Sequence, residues 1–553
     1  MSDLARAQEL FFAALDAQNA GRLAEAGQLY REALVHAPER PSLLNNLAGV
    51  LREQQRLDEA LTVCATLLQV APEDAQAWTT RAGVHAAAGN HEAAAADLGQ
   101  ALRFDPDNAA LNLLYGTTLL DAGQPEQAIS SLRKAVAALP GDVHALCQLA
   151  NALLRSFRPE EAIHCCDQAL AINNKHADAW LNRANAKLQL ARYDEALQDY
   201  AQAQRLAPHS PRAFWNEALC RLLLGDFERG WKLYAHGWAT GQRGAQRPQF
   251  AAPAWDGRDV DGDLLVWGEQ GIGDQILFCS MLQELQPRVR QLIVATAPRL
   301  LPLLQRSLPG VRLISGEAVD ARLPVAAQAA MGDLGGFLRN SSDHFPAQRR
   351  AYLRADAARA AALRARLLNS GKPPGKTLLV GLSWRSRNDH YGALKSLALE
   401  QLAPLLALPG VLGVDLQYGD TAAERESLRN KQGIEVAHCD DVDNYHDLDG
   451  LAALIEACDV VVSVSNTTVH LAGALGKPAL VLLPYALGRI WYWGERSGGE
   501  KNGGEKSGQQ QDERSLWYPN CRLLRQAAPG DWSPLVTRAT AEVQKIINKN
   551  NGL

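Results

Sequence analysis

A chain of 553 residues exceeds what one hydrophobic core organises, so roughly three or four domains are expected, and a 47% hydrophobic fraction excludes general disorder. A formal charge of -5 with a pI near 6.3 argues against nucleic acid as a partner, because that role calls for a basic surface. The nine cysteines include no CxxC pair, which points away from a zinc site or a disulfide framework and towards a reducing compartment, the cytoplasm.

The opening run MSDLARAQELFFAAL has no basic region followed by an apolar core, and its polar residues fall at helical spacing. A helix is expected there, not a signal peptide or anchor, and no apolar run reaches the length of a bilayer span. Prolines then stand at 38, 72, 106, 140 and 208, separated by 34 residues or a multiple, with Asn174 in the missing register. Ala26, Ala60, Ala94, Ala128, Ala162 and Ala196 keep the same spacing, as do Ala33, Ala101, Ala135, Ala169 and Ala203, with Leu67 the exception. Antiparallel helices approach closely only where residues are small, and proline marks where one hairpin stops and the next begins. Six in-register repeats, 7–40 through 177–210, resemble the tetratricopeptide family.

The run 225–238, GDFERGWKLYAHGW, replaces the repeat alanine by Gly230 and adds aromatics, as a capping repeat facing something different would. An all-α superhelix over 1–240 is therefore expected, with a groove for a protein or peptide partner. Asn46, Gln148, Asn182 and Asn216 share one repeat position, and Asn151 and Asn185 lie three residues beyond two of them. These amides either form a ladder for an extended peptide backbone, or are solvated surface groups or ties between neighbouring turns.

Residues 241–262 are polar and rich in Gly and Pro, and read as a linker or a wrapping loop. Beyond them short apolar strands alternate with helices. Strands are expected at 263–268, 291–296 and 311–315, then at 377–384, 411–417, 459–465 and 479–484, with helices between them. Alternation of this kind builds parallel sheets, here two Rossmann-like lobes over 263–370 and 371–545 facing a cleft. The stretch 497–514 is polar, Gly-rich and charged, and reads as a surface insertion or a lid.

Three constellations sit at strand ends. In GEQGIGDQILF (268–278), Gly271 and Gly273 allow a tight turn, and Asp274 begins a helix either as its cap or as a general base. In LSWRSRNDHYGALKSL (382–397), Arg385, Arg387 and Lys395 gather positive charge where a diphosphate would lie, unless they are solvated loop charges. In SVSNTTVHLAGALGKP (463–478), Ser465, Asn466, Thr467 and Thr468 place hydroxyls and free N–H groups at a helix start suited to phosphate. His470 follows on the first turn, to assist a leaving phosphate or simply to pack.

These runs resemble the heptosyltransferase-like branch of the GT-B glycosyltransferases over roughly 260–540. The resemblance implies Asp274 as general base, Lys395 as the donor-lobe lysine, and 465–470 with Pro478 as the element holding the donor diphosphate. The family has Asp and Gly where Ser465 and Thr467 stand here. Repeats joined to such a body also look like the protein O-linked N-acetylglucosamine transferases in architecture. The function implied is metal-independent transfer of sugar from a nucleoside-diphosphate sugar to a hydroxyl, that of Ser or Thr on a recruited protein, with no cofactor required. The alternatives are a non-catalytic protein-binding adaptor with a degenerate body, and a transferase acting on carbohydrate or lipid. Trp491, Trp493 and Trp517 either stack on a ligand ring or pack the C-terminal segment, and Arg489 and Glu495 are further candidate contacts.

Overall fold

The structure is a computed structural model and describes residues 3–244, 247–346, 351–369, 378–387, 391–486, 490–494 and 514–551. It divides into two compact units, Met1–Pro208 and His209–Leu553.

The first unit is six helical hairpins. After the pair Asp3–Asn19 and Leu23–His36, the first helices of the later hairpins are Pro41–Glu53, Ala75–Ala87, Ala109–Asp121, Val143–Arg155 and Ala177–Gln189. The alanines at 26, 60, 94, 128, 162 and 196 are wholly buried, which is why the repeat tolerates nothing larger there. Large residues seal the joints between hairpins. The Trp78 indole donates to the carbonyl of Pro72 at 2.8 Å, and Trp180 donates to Asn174 at 2.9 Å. Asn174 thus serves the turn as proline does elsewhere.

Within each hairpin the turn needs one residue in the left-handed region, again at 34-residue spacing. Glycine supplies it at 21, 89, 123 and 225, but Gln55, Phe157 and Ala191 adopt φ of 61°, 57° and 57°. A Cβ in that conformation costs roughly 1–2 kcal/mol. Ala191→Gly is therefore expected to stabilise the repeats by about 1 kcal/mol, less the added chain entropy of glycine. Urea denaturation followed by circular dichroism measures it, and a lowered midpoint would contradict the assignment.

The second unit opens with the seventh hairpin, Pro211–Leu223 and Phe227–Tyr234, so this repeat groups with the α/β body and not with the six before it. A methyl group on Gly230 would meet Leu222 at 2.7 Å, which explains why even alanine is absent. Residues 241–262 are also no loose linker: Arg243 and Trp255 are buried, and Ala254 bridges to Gln328 alongside a sheet edge.

The first lobe holds β1 (Val260–Trp267), β2 (Val289–Thr296), β3 (Arg312–Ser315) and β4 (Ala327–Ala330), all parallel, in the order β3-β2-β1-β4. The second holds β5 (Leu378–Ser383), β6 (Val411–Asp415), β7 (Val436–Ala437), β8 (Val460–Val464), β9 (Ala479–Leu483) and β10 (Cys521–Arg525), parallel in the order β10-β9-β8-β5-β6-β7. Renumbered from its own first strand, the second sheet follows the doubly wound order 3-2-1-4-5-6, and the first follows 3-2-1-4. In each, the chain direction of winding reverses beside the first strand, and the crevice it leaves lies at the carboxyl ends. The helix Ser533–Asn551 closes the second lobe, with Leu535, Val536, Ala539 and Val543 buried against the sheet. Among the described residues no helix is long and apolar enough to cross a membrane.

Candidate functional site

The crevice is a cavity of about 340 Å³ whose walls come from both lobes. Strand β1 delivers Gly271–Asp274, β5 leads to Ser386, Arg387 and Lys395, and β8 leads to Ser465–Thr468 and His470. The three constellations, far apart in sequence, therefore line one cleft.

Asp274 lies in the first turn of the helix Ile272–Cys279 and keeps one edge on the cleft. Protein surrounds its other sides, and this burial raises its carboxyl to about 6 against the lowering influence of Lys395. Lys395 is 2% exposed, and its ammonium makes no hydrogen bond to the described residues. Burial depresses it to about 8, and Asp274 is the charge that holds it up. A buried ammonium is costly unless an opposite charge offsets it, and Asp274 supplies that charge here.

At the start of the helix Thr467–Ala474, Asn466 acts as the cap. Its Oδ1 accepts from the Thr468 N–H at 3.1 Å, and its Nδ2 donates to Ser383 Oγ at 2.7 Å. Thr468 is buried and reaches the Leu416 carbonyl at 3.4 Å. Of the three hydroxyls, that of Thr467 alone makes no hydrogen bond among the described residues, and Thr467 lines the cleft. Ser465, where the resemblance implies a carboxylate, accepts from the Trp493 indole at 2.8 Å and is 3% exposed.

His470 is buried, with Nδ1 at 2.8 Å from the Tyr518 hydroxyl, and burial holds its pKa down at about 3. It is a neutral ring, so a cationic contact with phosphate is not available to it. The imidazole packs instead on the bare face of Gly273, where a Cβ would come within 2.9 Å of its Cδ2. Gly273→Ala is expected to displace either His470 or the Asp274 turn, at a cost of about 1–3 kcal/mol. Thermal melts and ligand affinity should both fall; unchanged values would show that the turn has slack.

Arg385 does not line the cleft. Its guanidinium turns to the Asp420 carbonyl at 2.9 Å and to Glu424 at 3.1 Å. Arg387 and Arg299 take the cleft position, their guanidinium groups 5.6 and 4.6 Å from the ring centroid of Tyr445. Asn444 also lines the wall. Its Nδ2 donates to the carbonyls of Asp415 and Gln417, both at 3.2 Å, while its buried Oδ1 has no partner among the described residues. Arg299, Tyr418, Asn444, Tyr445 and Tyr492 escaped sequence reasoning because none falls in a glycine-rich or charged run at a strand end; the dipeptide Asn444-Tyr445 in a polar loop was the available signal.

Trp491, Trp493 and Trp517 pack. They are 7%, 0% and 5% exposed and form an aromatic cluster with Trp231, Phe278 and Tyr518. Arg489, Glu495 and the insertion 497–513 lie outside the described residues. In the repeats, Asn46 donates to the Tyr30 hydroxyl at 3.2 Å, Asn182 to the Cys147 carbonyl at 3.2 Å, and Asn185 accepts from Tyr200 at 2.8 Å. Three of the six ladder amides thus spend one group on internal ties; Gln148 and Asn151 stay partly exposed in the first unit, and Asn216 belongs to the second. Among the described residues no group of three or more His, Cys, Asp or Glu could hold a metal ion.

The tetratricopeptide repeat family matches residues 17–83, 85–150, 119–188 and 153–214. Protein FlbA of Caulobacter vibrioides is 31% identical over 331 residues, a match longer than the first unit, covering 56% of this chain and 52% of that protein. The chain thus spans about half the length of this curated relative. Solved structures with likeness include YrrB, a TPR protein with an unusual peptide-binding site (23% identity, 34% of this chain, 98% of that chain, TM-score 0.32). A tetratricopeptide repeat protein from Parabacteroides merdae is 18% identical, covering 43% of this chain and 93% of that chain, with a TM-score of 0.37. The N-terminal region of this chain is a superhelix of tetratricopeptide repeats, followed by two parallel-sheet lobes that enclose a polar cleft.

Proposed function

We propose that the repeats hold a protein partner and that the two lobes form a GT-B-like body binding a nucleotide sugar between them. The observation that carries the reading is Lys395, a buried cation with no hydrogen-bond partner among the described residues, sharing a cleft with Asp274 at the carboxyl ends of two sheets. In this reading the donor phosphates rest on Lys395, Arg387 and the Thr467 end of the helix. Asn444 Oδ1 takes a donor group of the base or ribose. Asp274 accepts the proton of an attacking Ser or Thr hydroxyl, and Lys395 and the helix N-terminus stabilise the departing phosphate. His470 acts as a positioning residue behind the Asp274 turn. Metal-independent glycosyl transfer to the recruited polypeptide, within the cytoplasm, is the activity this arrangement supports.

A second reading, a protein-binding adaptor with a degenerate body, has the more direct support from comparison, since the family that matches is the repeat family. It also draws on Ser465, whose hydroxyl is committed to Trp493 where the resemblance implies a carboxylate. The two part company in one experiment. The protein is incubated with a panel of nucleotide sugars and with polypeptides captured on its repeats, and the polypeptides are weighed by mass spectrometry. A sugar-sized increment on Ser or Thr, lost in Asp274→Asn, supports transfer. Capture without nucleotide binding or any increment favours the adaptor.

A further inference from the structure

A second cavity, of about 600 Å³, lies on the first lobe, away from the Asp274 cleft and sharing none of its lining residues. It is walled by the helix Phe227–Tyr234, by the edge strand β4 and by the turn and short helix, Leu334–Leu338, that follow β4. Four aromatic residues line it: Trp231, Tyr234, Trp255 and Phe337, the last 41% exposed. Phe337 cannot fold back further, because it already rests on Gly257, where a Cβ would meet its ring at 2.5 Å, and against Trp255 at 5.0 Å between centroids. An apolar face is thereby held open to solvent.

Around the aromatic face stand uncharged polar groups. Gln328 is 7% exposed, and its Oε1 is fixed by the Trp267 indole, which can only donate, at 2.8 Å. That sets the amide orientation, and the Nε2 amino group makes no hydrogen bond to the described residues. The Asn340 side chain, in the same wall, likewise makes none. The rim charges are already matched: Lys232 with Glu228 at 2.7 Å, and Asp333 with Arg243 at 2.6 Å and Arg247 at 3.3 Å. A ligand with net charge gains little here, and a purely apolar one would strand the Gln328 amino group.

We propose that this cavity binds a neutral carbohydrate ring. A pyranose presents an apolar C–H face to an aromatic side chain and hydroxyl edges to planar amides and a carboxylate, which is the set assembled by Phe337, Trp255, Gln328, Asn340 and Asp333. The site stands apart from the nucleotide-sugar reading of the cleft and does not depend on it.

The test is titration of the full chain with methyl glycosides of glucose, galactose, mannose and N-acetylglucosamine, followed by saturation-transfer NMR, with a short apolar peptide as comparison. Saturable binding of at least one glycoside, with dissociation constants on the order of 1 mM, is expected. Phe337→Ala, a change at an exposed position, should weaken it at least about fivefold, and Asn340→Ala should weaken it measurably. Lys395→Ala, in the other cleft, should leave it unchanged, so loss of this site and loss of the nucleotide site are read separately. Absence of saturation by every glycoside, indifference to both Phe337→Ala and Asn340→Ala, or preference for the peptide would overturn the proposal.

Discussion

Asp274→Asn is expected to lower transfer by about 10²–10⁴-fold while nucleotide-sugar binding survives, because the substitution removes a proton acceptor and keeps the shape of the side chain. The pH dependence follows from the same residue. Burial raises the Asp274 carboxyl to about 6 and lowers the Lys395 ammonium to about 8. On the proposed reading, Asp274 is protonated and cannot act as base below about 6, and the Lys395 charge proposed to meet the phosphates is lost above about 8. The rate should therefore be bell-shaped between those limits. Stability of the free protein carries the opposite signature. Asp274, raised above its unfolded value, contributes stability that is lost as pH rises through about 6; Lys395, depressed below its own, contributes stability that is lost as pH falls through about 8. Below about 8 Lys395 carries its charge, so a bound anion should raise the melting temperature there and do so less as pH rises past that value. A rate that climbs steadily past pH 9 would remove Lys395 from the account.

Lys395→Ala is expected to weaken nucleotide-sugar binding by about 10–100-fold, the worth of one charge-assisted contact to phosphate in a partly dry site. It should also push the Asp274 carboxyl higher still, since Lys395 is the charge that holds it down. Arg385→Ala separates the cleft from the surface around it. Its guanidinium is spent on Asp420 and Glu424, so its removal should leave affinity nearly unchanged, whereas Arg387→Ala should reduce it.

The repeats were legible because their constraint is local and recurs: a residue that must be small, such as Ala94, reappears at Ala128 and Ala162 wherever two helices meet at the same distance. The seventh hairpin looked like a cap from its aromatics, yet its allegiance to the α/β body rests on contacts such as Trp231 with the Arg339 carbonyl, 108 residues away, which no periodicity announces. Strand β4 went unread because AQAA carries little strand propensity and is held by its neighbour β1 and by burial. In the cleft, Asp274, Lys395 and Thr467 could be found because each follows an apolar strand, where α/β sheets place ligands. The choice between Arg385 and Arg387 could not be made from the chain. Which of two arginines turns outward depends on Glu424, a partner 39 residues beyond Arg385.

We propose that the interlobe cleft is a nucleotide-sugar site with Lys395 at its phosphate end. Calorimetric titration of the full chain with a panel of nucleotide sugars and free nucleotides, beside Lys395→Ala, tests it most directly. Saturable binding selective for one nucleotide, with the affinity lost in the variant, is expected. Absence of binding across the panel, or binding that Lys395→Ala leaves untouched, would contradict it and leave the protein a repeat-based adaptor.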